Sequence, residues 1–312
     1  MKHRRIVVLG GSGFIGRHLV ARLAAREVEV VLITRQRDHA KHLFLLPRVE
    51  IVEADAGDAT DVAVAGRGAD ALINLVGILH STRRTSFDDI HVGVTDAAIR
   101  ACRSNGIARL LHMSALNADT NGPSAYLRSK GEAEAKVRSS DLQWTIFRPS
   151  VVFGPEDQFL NKFAALVRWF PVIPLAGADA RFQPVWVGDV VTAFTNALEA
   201  DETIRQAYAL CGPRVYTLRE LMAYTGAVVG RKPLIVGLPG ALGQMQAAIL
   251  EHAPGKPMSR DNLASMRVES VCDAPYPAVL GGPPRSLESV APGYLSPAAE
   301  VDRFALYRSR RR

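Results

Sequence analysis

The run Gly10-Gly11-Ser12-Gly13-Phe14-Ile15-Gly16, directly after the apolar stretch Arg5-Ile6-Val7-Val8-Leu9, constrains this chain more than any other feature. It predicts a strand that turns sharply into a helix, with glycines where the turn is tight and where backbone must approach backbone. A helix opened in this way presents uncapped N–H groups and the positive end of its dipole, which suits a pyrophosphate. Downstream, Ile15, Leu19 and Leu23 recur at helical spacing while Arg17, Arg22 and Arg26 take other faces, and a second apolar run follows at 29–34. One βαβ unit therefore closes in about thirty residues.

The same alternation continues along the chain. Strands are expected near 5–10, 29–34, 49–54, 70–76, 108–114, 143–148 and 206–211, several of them apolar almost throughout, as strands covered on both faces are. The fold class is accordingly α/β: a Rossmann-type doubly wound parallel sheet, with a smaller and mostly helical C-terminal lobe. The boundary is placed at Gly212, giving a dinucleotide-binding domain over 1–212, from which 156–180 reaches over the cleft, and a substrate- or partner-facing lobe over 213–312. Helices are expected around Leu218–Val229 and Ala241–His252, followed by a Pro- and Gly-rich stretch at 272–298.

Cofactor choice turns on the end of the second strand. A carboxylate there would accept the adenosine ribose hydroxyls, but Thr34-Arg35-Gln36-Arg37 stands in its place. Arg35, assisted by Arg37, offers a fixed cationic fork to a 2′-phosphate, which favours NADP(H) over NAD(H). Asp55, beside Ala56, serves either the adenine amino group or a helix N-cap. Val76 and Gly77 end the fourth strand, where a small residue lets backbone lie against a cofactor.

Tyr126 and Lys130, four residues apart, share one face of a helix whose N-cap is read as Ser124. An ammonium beside a phenol lowers the phenol pKa and prepares it for proton exchange with a carbonyl or alcohol. GGSGFIG, NLVG, YLRSK and RPSVVFGP together resemble the extended or atypical short-chain dehydrogenase/reductases, the NAD-dependent epimerase/dehydratase group, over most of the chain. More narrowly, HMSALNAD, PSAYLRSKGEAE, WTIFRPSVVFGPED and RFQPVWVGDV are similar to bacterial relatives of the nucleotide-binding accessory subunit of respiratory complex I.

That resemblance implies binding of the dinucleotide by Gly10, Ser12, Gly13, Phe14, Ile15 and Gly16, and a nicotinamide pocket walled by Pro149, Ser150 and Val151. It implies Tyr126, Lys130 and Ser114 as the catalytic set. Two departures stand against it: Ala115 occupies the position of the usual catalytic Ser or Thr, and Val151 that of an asparagine found in sugar-nucleotide enzymes. Two functions follow. One is an NADP(H)-dependent oxidoreductase acting on an unidentified carbonyl or alcohol; the other is a dinucleotide-binding accessory or assembly factor of a respiratory membrane complex.

Composition narrows the partners. The net charge is +7, but the basic residues are scattered except at the two termini, Arg308 and Arg310–Arg312 among them, so nucleic acid is not expected and an anionic membrane surface is. No apolar run of membrane-spanning length occurs, and the first strand begins at once, so the reading is cytoplasmic or peripheral at the inner membrane. Cys102, Cys211 and Cys272 are far apart in sequence, and neither a disulfide nor a metal site is expected. His80, His91 and His112 pair with no other ligand type at ligand spacing; His112 reads as a core histidine, His80 as bordering the cleft, and Trp169-Phe170 and Trp186 as core or cleft-wall aromatics. The stretch 241–252, apolar at 241, 242, 245, 248, 249 and 250, suits a lid over substrate or a docking face for a partner, with ordinary packing within the lobe the preferred reading.

Overall fold

The computed structural model describes residues 2–82, 85–253 and 257–296. The basic terminal residues singled out above lie outside that range.

The chain opens with β1 (Arg5–Leu9), α1 (Phe14–Ala24), β2 (Glu29–Thr34), β3 (Val49–Glu53), α2 (Ala59–Ala65) and β4 (Ala71–Asn74). It continues through α3 (Val94–Asn105), β5 (Arg109–Met113), α4 (Ala125–Arg138) and β6 (Gln143–Pro149). Next come β7 (Val152–Phe153), α5 (Leu160–Trp169), β8 (Val172–Ala176), β9 (Arg181–Phe182), β10 (Val185–Trp186), α6 (Val187–Ala197) and β11 (Gln206–Leu210). The remainder is β12 (Tyr216–Thr217), α7 (Leu218–Val228), β13 (Leu234–Leu238), α8 (Gly240–Leu250), α9 (Arg260–Ser265) and two single turns, α10 (Leu287–Val290) and α11 (Pro292–Leu295).

Seven strands form one sheet in the order β11-β6-β5-β4-β1-β2-β3, every pairing parallel. These are the seven strands read from the sequence. The order reverses between β1 and β4, and in such sheets ligands bind in the crevice outside the carboxyl ends of the strands at that switch. Burial explains the apolar runs: Ile6, Val7, Val8 and Leu9 of β1 are wholly inaccessible, as are Leu72 and Ile73 of β4.

A buried cation fastens one side of this sheet. Arg109 donates to the Gln143 carbonyl (2.6 Å), Thr145 Oγ1 (2.8 Å), the Ala197 carbonyl (2.7 Å) and Thr203 Oγ1 (2.9 Å). Burial pulls its pKa down to about 10, which still leaves it charged and fully bonded.

By its internal contacts the chain divides into two compact units that interleave in sequence. The first comprises 1–149, 187–210 and 274–282, the second 150–186, 211–273 and 283–312. The division therefore differs from a single cut at Gly212: 150–186 carries β7 to β10, which pair with each other or with β12 and β13 and never with the large sheet. The second unit has its own core, including Phe153, Leu160, Ile173, Leu175, Phe182, Leu218 and Leu221. Among the described residues no helix is long and apolar enough to cross a membrane.

Cys211 and Cys272, expected to be free, are disulfide-bonded within the second unit with Cα atoms 6.1 Å apart. Sequence separation hid the pair, because the two cysteines stand 61 positions apart in the chain. Cys102 is the buried thiol that was expected; burial pushes its pKa up to about 12. Thiol titration of the denatured protein should yield one reactive group without reductant and three with it; three in both conditions would exclude the bridge.

Candidate functional site

The β1–α1 turn is built by what it lacks. Gly10 has φ +76°, and a side chain on it would press on the Leu75 carbonyl carbon and the Val76 nitrogen, each 3.0 Å from the added atom. A side chain on Gly16 would run into the Gly10 carbonyl and the Gly11 backbone, so helix and turn approach as only glycine permits. Gly13 differs. It is the N-cap of α1 in extended conformation, φ −75°, and an added Cβ meets only the Gly10 carbonyl at 3.3 Å. No side chain caps α1 there, which leaves its first amides and dipole end available to an anion.

The neighbouring strand ends complete this surface. The Leu75 amide donates to the Leu9 carbonyl (3.0 Å), bringing the β4 loop beside the glycine turn, and Val76 N–H donates to Asn74 Oδ1 (3.1 Å). Arg35 and Arg37 follow β2 and are exposed; Arg37 lies over the Phe44 ring, 5.7 Å from its centroid. Neither makes an ion pair among the described residues. Asp55 is exposed and forms a local turn, accepting from Gly57 N–H at 2.9 Å, with Ala56 half-buried beside it. The N-cap of α2 is Asp58, so capping does not explain Asp55.

Tyr126 and Lys130 stand on α4, whose N-cap is Ser124, accepting from Leu127 N–H at 3.1 Å. Arg148 of β6 grips the buried Glu134 of α4 through two hydrogen bonds, which docks that helix on the sheet. Lys130 is 4% exposed, and its Nζ donates to the Met113 carbonyl at 3.1 Å. Burial pulls its pKa down to about 8, so it still carries its proton at pH 7. Gly77 is small for a reason other than cofactor approach alone: Lys130 Nζ lies 3.1 Å, and His91 Nε2 3.5 Å, from where its Cβ would sit.

The Tyr126 phenol departs from expectation. Burial pushes its pKa up to about 12, and no lowering by Lys130 offsets that desolvation. Its ring stands edge-on to His91 and Phe87, which stack on each other with centroids 5.7 Å apart. His91, set aside on sequence because it pairs with no other ligand type at ligand spacing, joins this cluster. It sits in a π-helical turn, Asp89–Gly93, ahead of α3; its Nδ1 lies 2.8 Å from Ser129 Oγ and its Nε2 accepts from Ile78 N–H at 3.1 Å. Ser129 Oγ donates to the Tyr126 carbonyl (2.9 Å), so His91 must carry its proton on Nδ1, the neutral form that burial enforces. The only hint in the sequence was a histidine just before an amphipathic helix, since its partners lie 13 and 38 residues away.

Ser114, at the end of β5, is 3% exposed and its Oγ has no hydrogen-bond partner among the described residues. Such a hydroxyl costs stability unless something else meets it. His112 is a core histidine, as read, though only Nδ1 has a neighbour, Asn74 Nδ2 at 3.4 Å. Pro149 closes β6 and its carbonyl accepts from Leu116 N–H (3.0 Å). Ser150 and Val151 belong to the second unit, where Ser150 Oγ lies 2.7 Å from the Ser270 carbonyl. An uncapped helix start, a glycine cradle and an unmet buried hydroxyl together fit a nicotinamide dinucleotide.

Comparison with known proteins agrees. A family described as NAD(P)H-binding matches residues 10–158. The mouse protein NADH dehydrogenase (ubiquinone) 1 alpha subcomplex subunit 9, mitochondrial, is 31% identical over 90% of this chain and 77% of its own length. Ceramide reductase of Caulobacter vibrioides is 28% identical over 75% of this chain and 73% of its own. Among solved structures, the UDP-glucuronic acid 4-epimerase of Bacillus cereus, bound to NAD, superposes with TM-score 0.71 at 16% identity, covering 93% of this chain and 98% of its own. The Thermus thermophilus UDP-glucose 4-epimerase with NAD gives 0.65 at 21%, covering 84% and 99%. These last two establish the shared fold.

Because a side chain at Gly13 presses on one atom, the Gly10 carbonyl oxygen at 3.3 Å, while one at Gly16 runs into the turn backbone itself, the two positions separate binding from folding. Gly13→Val should leave thermal unfolding within a few degrees of the parent while NAD(P)H affinity falls at least about tenfold; Gly16→Val should fail to fold. Full affinity in a folded Gly13→Val protein would remove the turn from the site.

Proposed function

The chain belongs to the NAD(P)H-binding family that includes the alpha subcomplex subunit 9 of mitochondrial NADH dehydrogenase, and from that premise we propose that it is an NADP(H)-dependent reductase of a carbonyl group. The observation that carries this reading is a phenol kept protonated, with pKa near 12, one helical turn from a buried lysine. A phenol so held is in its protonated form at neutral pH, the form that carbonyl reduction requires of its proton donor.

When bound, the nicotinamide supplies a hydride to the carbonyl carbon. Tyr126 releases its proton to the carbonyl oxygen as that carbon accepts the electron pair, leaving an alcohol and a phenolate that solvent reprotonates. Lys130 places positive charge one turn along the helix from the forming phenolate, and Ser114 Oγ is a donor with no other engagement among the described residues. His91 and Ser129 hold the Tyr126 backbone in place. Arg35 and Arg37, cationic and without carboxylate partners among the described residues, support a 2′-phosphate at the ribose and hence NADP(H). Asp55 is proposed for the adenine amino group.

A second reading has its own observation. Ala115, buried and without a hydroxyl, stands where enzymes of the resembled superfamily carry the catalytic Ser or Thr, and the mouse relative is by name a subunit of NADH dehydrogenase. On that reading the dinucleotide serves an accessory role in a respiratory complex and Tyr126 with Lys130 only holds it.

Tyr126→Phe distinguishes the two. Reduction of a carbonyl panel with NADPH should fall about 100-fold or more while NADPH affinity changes less than about threefold. Wild-type turnover should also decline as pH rises through about 8, where Lys130 loses its proton. No turnover in either protein, with tight NADPH binding in both, favours the accessory role. For the cofactor, Arg35→Ala should weaken NADPH by about 1–3 kcal/mol and leave NADH unchanged in a binding titration; equal losses would sink the preference.

A further inference from the structure

The second unit exposes apolar side chains that soluble surfaces ordinarily bury. β8 and β13 form a two-stranded parallel ribbon, with Val172 opposite Leu234 and Pro174 opposite Val236. Ile173 and Leu175, on the alternate face, enter the core of the unit, so the first four residues share the outward face, where Leu234 is 63% exposed. Helix α8 runs along the free edge of β8, where Gln246 bonds the Ala176 amide (2.9 Å) and the Pro174 carbonyl (2.7 Å). Only Gly243 and Ala247 of this helix are buried.

Its large residues Leu242, Met245 and Ile249 fall at spacings of three and four, one stripe, and Ile249 is 64% exposed. Gln244, on the other flank, lines a cavity of about 930 Å³ together with Gly237 and Arg219, the inner side of the ribbon, so the stripe faces outward beside Val172 and Pro174. The helix packs within the lobe as expected, but through its small residues Gly243 and Ala247, and its large apolar residues are left on the outside. Trp169, expected in the core or a cleft wall, instead ends α5 at 83% exposure beside an exposed Phe170. The Leu234 amide bonds the Pro171 carbonyl (2.8 Å), which joins this aromatic pair to the ribbon.

Charge identifies the occupant. Residues 166–176 and 230–250, which make up this face, contain Arg168, Arg231 and Lys232 and not one Asp or Glu, in a chain with 31 acidic residues. The next carboxylate, Glu251, is tied to Arg260 at 2.6 Å. Arg231 and Lys232 are exposed and form no ion pair among the described residues. We propose that this face lies on the surface of an anionic phospholipid bilayer, with Leu242, Met245, Ile249 and the outer ribbon face in the headgroup–acyl boundary and the three cations on phosphates. Aliphatic residues rimmed by Trp, Arg and Lys, without acids, match that interface, where tryptophan sits at headgroup level and basic side chains meet anionic lipid.

The test is sedimentation of the full chain with phosphatidylcholine vesicles containing or lacking phosphatidylglycerol, with Trp169 emission followed in parallel. Wild-type protein should partition onto the anionic vesicles only, weaken at high salt, and shift its emission to the blue. Met245→Gln with Ile249→Gln should reduce partition about tenfold or more, and Arg231→Gln with Lys232→Gln should lose about fivefold for each charge removed. NADPH affinity and melting temperature report the fold of each variant, and Trp169→Ser, at so exposed a site, serves should the helix variants melt early. Sedimentation unchanged in all variants, or none by the wild type, overturns the proposal. So does a dimer in ultracentrifugation that these substitutions split, because the face would then belong to a second copy. Both outcomes are independent of catalysis and leave the reductase reading standing.

Discussion

Everything at the cofactor end rests on one close approach, that of helix α1 to the turn that precedes it. The Gly16 backbone lies so near the Gly10 carbonyl that no side chain fits between them, and this proximity brings the start of the helix to the carboxyl edge of β1. There the sheet order reverses, with β4 on one side and β2 on the other. The Arg35 loop after β2 and the Val76–Gly77 loop after β4 consequently flank one uncapped helix start. Move that helix outward by the width of a methyl group and the anion would meet water in place of amides.

Around Tyr126 the controlling quantity is desolvation. An aromatic pocket of Phe87 and His91 holds the phenol protonated, while the same burial loosens the proton on Lys130 and denies one to His91. Three groups are thus moved in directions that each favour the uncharged form, and hydrogen bonds of His91 and Lys130, with the charge of Glu134 near Lys130, offset part of the cost. Among the described residues the Ser114 hydroxyl and His112 Nε2 are the buried polar atoms here left without a hydrogen bond.

Much of this was legible in the residues. The seven strands, the glycine turn, the Ser124 cap and the Tyr126–Lys130 face all follow from short-range patterns of two to four residues, and short-range patterns are what a sequence displays directly. The phenol was misjudged because spacing reports which groups are neighbours and says nothing of how dry they are. His91 was set aside, and the Cys211–Cys272 bridge was excluded, because each depends on residues that meet only after the chain has folded. Trp169 was assigned to the core or a cleft wall by residue type alone, and the structure leaves it exposed, because residue type reports size and polarity and not which side of a helix end meets the rest of the chain.

The disulfide has a genetic consequence. Cys211 follows the last residue of β11 and Cys272 nearly precedes the return of the chain to the first unit, so the intervening segment begins and ends at points 6.1 Å apart. A stretch whose ends meet behaves as an inserted cassette: its length and content can drift, through duplication or replacement, without changing the register of any strand in the large sheet. Descendants of one nucleotide-binding scaffold can diversify there while the glycine turn stays fixed.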